Sequence, residues 1–195
     1  MSLAEHATRA QAWRALASTM SNLGYLSLLQ GDAVRGIEQC REAARRFEEL
    51  GIRDEQAGAA VNVAIGLLRR GDDAAALGVV SDSLATYAEL GHEDGVSYCL
   101  DVVAAGVLRR GDARSAGLLA GAADALRADT GAVAPPLEQA LHEETLEELR
   151  RQLEPEDLAA ALAAGEAVAT DEAVVLASEL AERRVPTSPS SRPVD

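Results

Sequence analysis

Lysine is absent from these 195 residues, and only five side chains are aromatic: Trp13, Tyr25, Phe47, Tyr87 and Tyr98. No basic run is longer than two residues, and 18 arginines face 32 acidic residues for a net charge of −14. A nucleic-acid partner needs a basic face to displace phosphate counterions, so direct DNA or RNA binding is not expected. A chain without lysine also cannot carry the Gly-rich phosphate loop that ends in Lys-Ser/Thr. Cys40 and Cys99, the two cysteines, stand outside any CxxC or Cys/His grouping and read as buried thiols. No apolar run reaches membrane-spanning length, and the N-terminus lacks a basic-then-apolar leader, so a soluble cytoplasmic protein is the expectation.

Catalytic chemistry has little to stand on. His142-Glu143 starts like a zinc-binding His-Glu-x-x-His, but Leu146 occupies the place of the second histidine. His6, His92 and His142 are scattered, and Glu143, Glu144, Glu147 and Glu148 read as the solvated side of a helix. No enzyme activity, cofactor or metal is expected.

What the chain does have is a period. Gly31-Asp32, Gly71-Asp72 and Gly111-Asp112 recur every forty residues, and Gly51, Gly91 and Gly131 follow each pair by twenty. Self-similarity at this length marks a helical repeat array, in which one unit cannot bury its apolar face without a neighbour. Alanine and leucine dominate the apolar residues, which suits closely packed helices. Glycine after each helix can take the left-handed conformation, and the aspartate beside it can cap the next helix.

The apolar stripes keep the same register. Trp13, Leu16, Met20, Leu23 and Leu28 give the first helix a stripe, and Val34, Ile37, Cys40, Ala44 and Phe47 give one to the second. Leu77, Val80 and Tyr87 follow Ile37, Cys40 and Phe47 by one period. Leu100, Val103, Ala104 and Val107 likewise follow Ala60, Val63, Ala64 and Leu67. The third unit drifts: Gly117 stands at the Leu77 position and Arg127 at the Tyr87 position. Three hairpins are thus predicted, over about 7–51, 52–91 and 92–131. Residues 132–184 read as further helices, with Leu137, Leu141, Leu149 and Leu153 as the inner stripe of a cap, and 185–195 as a disordered tail.

Each unit resembles a tetratricopeptide-type helix–turn–helix in its longer form, through Leu23-Gly24, Gly31, Gly36 and Ala43 and their counterparts Ala64, Ala104, Ala76 and Ala116. The resemblance implies an all-α, short right-handed α-solenoid. Asn22-Leu23-Gly24-Tyr25, Glu49-Leu50-Gly51, Gly121 to Arg127, Pro135-Pro136 and Gly165…Asp171-Glu172-Ala173-Val174 carry a narrower likeness. They are similar to the C-terminal repeats of large actinobacterial signal-transduction ATPases and LuxR-type transcriptional regulators. That likeness implies a sensor or interaction module without the regulators' own ATP or DNA chemistry.

Asn22 and Asn62 are one period apart, and Val102 holds the third position. In peptide-binding tetratricopeptide proteins this position faces the concave groove, so the resemblance implies a place where an amide side chain meets an extended peptide. Tyr25, Tyr98 and Asp101 are assigned to the same face. Arg69 and Arg109, one period apart, read either as carboxylate readers or as cations that solvate helix ends. The expected function is a non-catalytic module that binds a protein or peptide through these seven residues. The alternatives are a homodimer that pairs the Trp13, Leu16 and Met20 stripe, and a sensor of a small effector.

Overall fold

A computed structural model describes residues 3–183; Arg184 and the tail expected over 185–195 lie outside the described residues. The fold is all-α, as the period predicts. Among the described residues there are nine helices and no strand. They are α1 (Leu3–Leu29), α2 (Ala33–Leu50), α3 (Arg53–Arg70), α4 (Asp73–Leu90), α5 (Glu93–Arg109), α6 (Ala113–Thr130), α7 (Pro136–Gln152), α8 (Pro155–Glu166) and α9 (Thr170–Glu182). No helix among the described residues is long and apolar enough to cross a membrane.

The periodic glycines set the helix ends. Gly31, Gly51, Gly71, Gly91, Gly111 and Gly131 all have φ between 65° and 89°, and no other described residue has positive φ. At the first five, the left-handed turn lets backbone N–H groups return to the last carbonyls of the helix before. Asp32 and Asp112 then accept the backbone N–H of Arg35 and Ser115, each at 3.1 Å, and so start α2 and α6. Asp72 makes no such side-chain bond.

Helices α1 to α6 pair as three successive hairpins, and each hairpin packs on the next. One contact repeats with the sequence. Ile37 of α2 lies over Gly66 of α3, and Leu77 of α4 lies over Gly106 of α5. In the third unit the bulky residue becomes Gly117, and Ala161 of α8 closes over it. The drift seen in the sequence is therefore a change of neighbour, because a different helix meets α6.

Helix α8 runs along α6, α9 rests on α4, α5 and α6, and α7 crosses the inner surface against α5, α6 and the end of α1. With covers on several sides, α5 is buried on nearly every face from Gly95 to Leu108. A helix apolar all round belongs at a centre, and α5 holds that place. Two expected stripes are corrected. Leu16 and Leu23 of α1 are 41% and 46% exposed, because α1 has a partner hairpin on one side only. Val34 is exposed as well, and Gly36 and Ala43 are buried in its helix instead.

Candidate functional site

The inner surface is formed by α1, α3 and α5, the first helix of each hairpin, and α7 occupies part of it. Proline at the first turn of α7 removes an N–H that would have no helical partner, and the chain can then rise directly into the helix. The Leu137 N–H, free at that helix start, donates to the Tyr25 hydroxyl of α1 at 2.9 Å. Leu141 and Leu149 continue the buried side, and Thr145, buried between them, returns its hydroxyl to the Leu141 carbonyl at 2.7 Å.

A cluster of four charged side chains holds the middle of α7. Asp101 of α5 is 1% exposed and accepts from Arg127 at 2.6 Å and from His142 Nδ1 at 2.7 Å. Asp124 of α6 lies 2.8 Å from Arg127 Nη2 and 3.2 Å from His142 Nε2. Two carboxylates, one guanidinium and one imidazolium balance to zero, which a buried group needs. Burial opposes the imidazolium, yet the bonds to Asp101 and Asp124 outweigh it and raise His142 to about 9. Burial also works against the Asp124 carboxylate, but hydrogen bonds from His142 and Arg127 hold it below its ordinary value.

Beyond the start of α7 the inner surface stays open. A groove of about 400 Å³ is lined by Ser18, Asn22 and Tyr25 of α1, Glu55, Gly58 and Asn62 of α3, Tyr87 and Tyr98, and Glu138 of α7. Asn62 and Glu138 are only 8% and 6% exposed, whereas Asn22 is open to solvent. Tyr87 donates its hydroxyl to the Asp54 carbonyl at 3.3 Å, and that hydroxyl lies beside Gly58 while the ring fills the space beside Gly95.

Asn22, Tyr25, Asn62 and Tyr98 are thus brought to one groove. Asp101 is not at its surface, since Arg127 and His142 take up both its oxygens. Arg69 and Arg109 lie elsewhere and serve the repeat. Arg69 donates to the Leu28 carbonyl at the end of α1 at 2.5 Å, and Arg109 donates to the Leu68 carbonyl at the end of α3. Each ties one hairpin to the next. Trp13 and Leu16 are exposed on the other side of α1, with the Arg46 guanidinium 5.7 Å above the indole, and Met20 is half-buried against Phe47 and its neighbours.

Sequence reasoning missed Asp124, Arg127, Glu138 and His142. Arg127 carried a signal: a cation at a core position where Phe47 and Tyr87 stand calls for a buried anion, and Asp101 was the acid one helix away. Glu138 carried none, because only the crossing of α7 brings it to the groove.

Both cysteines are buried thiols, and burial alone pushes Cys40 up to about 12. Neither is a nucleophile in this state. Among the described residues, no group of three or more His, Cys, Asp or Glu side chains is arranged to hold a metal ion. No family model matches this chain, and no curated protein or solved structure is significantly similar to it.

Proposed function

We propose that this protein is a non-catalytic binding module that takes an extended peptide segment of a protein partner into the groove between α1, α3, α5 and the start of α7. One observation carries the reading. Asn62 is buried at the groove with its Oδ1 unpartnered, one period from the exposed Asn22. A buried acceptor left alone costs about 1–3 kcal/mol, and a peptide N–H is the donor that removes this cost. An amide side chain offers both donor and acceptor, as an extended backbone requires. Tyr25 and Tyr98 add large, half-buried side chains of the kind that anchor interfaces. By the likeness stated above, the module serves bacterial signalling or transcriptional regulation.

Selection of peptides from a random displayed library tests this. Enriched peptides should bind the wild type and lose about tenfold or more with Asn22→Ala plus Asn62→Ala. Binding that ignores both substitutions sinks the reading. A second reading, a homodimer, is favoured by exposed Trp13, Leu16, Leu23 and Leu26 along α1. Sedimentation of the free protein separates the two, because a monomer at micromolar concentration leaves no room for the dimer.

A further inference from the structure

Among the described residues, five buried side-chain nitrogen or oxygen atoms have no hydrogen-bond partner. Three of them, Glu55 Oε2, Asn62 Oδ1 and Glu138 Oε2, belong to residues that line the one groove, and of these the Glu55 carboxylate is already paired with Arg14 of α1 through its Oε1. All three are oxygens and therefore acceptors. Buried polar groups are nearly always paired, so the two unpartnered oxygens of the buried Asn62 and Glu138 call for a donor from outside. The groove also holds Asp54 and His92, and Arg14 is paired with its Glu55.

We infer that this groove binds an aliphatic primary ammonium group, the side chain of a lysine in the bound peptide, with Glu138 and Asn62 as its acceptors. The inference rests on the peptide-binding reading and adds the chemistry of the residue that enters. An ammonium has three donors, no acceptor and a full positive charge, the complement of what the groove offers. A guanidinium is a poorer fit. Its flat fork matches two oxygens of one carboxylate, whereas these acceptors come singly from α3 and α7. Tyr25, Tyr87 and Tyr98 supply aromatic rings, which attract cations through their faces.

The surroundings of Glu138 agree. Burial pushes its carboxyl up to about 7 against the pull of its own backbone N–H. Asp101 of α5 adds to the rise and the Tyr25 hydroxyl of α1 opposes it. Tyr87 of α4 and Tyr98 of α5 feel the same carboxylate and bring no positive charge. Arg127, a buried cation of α6, is bound to Asp101 and Asp124. An entering ammonium would give this carboxylate the counter-charge it lacks.

The test is a titration of isotope-labelled protein at pH 8 with three capped pentapeptides, Ala-Ala-X-Ala-Ala, where X is lysine, Nε-acetyllysine or alanine. The lysine peptide should shift the side-chain amide of Asn62 and the backbone signals of Tyr25 and Tyr98. It should bind about tenfold or more tightly than the acetyllysine peptide, as a charge-assisted bond does over a neutral one. Glu138→Gln keeps the shape of a neutral carboxyl and should abolish the preference for lysine. Asn62→Leu, checked by thermal unfolding, should weaken the lysine peptide as well. Equal binding of lysine and acetyllysine peptides at the same residues overturns the ammonium inference and leaves peptide binding standing. Shifts confined to Glu143, Glu144 and Glu147 on the outer side of α7 overturn it also, because they mean attraction to the net negative surface. If no peptide moves Asn22 or Asn62 at millimolar concentration, both readings fall.

Discussion

A single hydrogen atom is the side chain at positions 121 and 165, and the joint between α6 and α8 depends on it. A β-carbon on Gly121 would overlap the Leu162 carbonyl, and one on Gly165 would overlap the Leu118 carbonyl. Backbone cannot swing aside as a flexible side chain can, so the two helices would have to part. Gly121→Ala should therefore cost about 1–3 kcal/mol despite alanine's better helix propensity. Gly78 is the control, since a β-carbon there meets nothing within 4 Å on the exposed side of α4. Gly78→Ala should stabilise the protein by about 0.5–1 kcal/mol. Reversible urea denaturation of both variants checks the pair, and equal, small effects would mean that α8 does not press on α6. The sequence made the periodic turn glycines legible, because φ near 80° leaves few other choices. It could not reveal Gly121 or Gly165, whose reason is a close approach between helices far apart in the chain.

At the scale of the element, α7 is held by charge as well as by leucines. His142 titrates higher in the folded protein, near 9, than at its ordinary 6.5. A raised folded value means that the contribution is fully present below about pH 6.5 and is lost as pH rises through about 9. The loss should amount to about 2 kcal/mol, less than the full shift because the imidazole is partly solvated. Glu138 acts in the same direction at lower pH, fully protonated in the fold below about 4.5 and ionising through about 7. Asp124, lowered, contributes above its ordinary 3.8 and loses that contribution as pH falls. Comparing wild type with His142→Gln isolates the imidazole: the loss of stability between pH 6 and pH 9.5 should be about 2 kcal/mol smaller in the variant, which keeps only the part that Glu138 contributes. Parallel pH curves for the two proteins would show that His142 is not paired with Asp101 and Asp124. The leucine stripe of α7 was legible in the sequence as an inner face. That this face turns onto α5 and α1, inside the curve of the repeats, was not, because no periodic contact dictates it.

At the scale of the whole molecule, the first helices of the hairpins build an inner surface, and the chain's own α7 covers one part of it and borders the rest. This arrangement accounts for the fate of the candidate residues. Asn22, Tyr25, Asn62 and Tyr98 stay at the open part, while Asp101 lies under α7 and is consumed in holding it. Arg69 and Arg109 end as inter-hairpin ties, because the carbonyls they meet close the first helix of the hairpin before and not their own. Peptide binding in the groove is read most directly from intermolecular nuclear Overhauser effects between the labelled protein and a peptide enriched by selection. Contacts should run from the peptide to Tyr25, Asn62 and Tyr98, with the Tyr25 to Leu137 contact still present and α7 in place. Contacts to Trp13 and Leu16 on the outer side of α1, or a peptide that binds only after α7 has left α5, would contradict it.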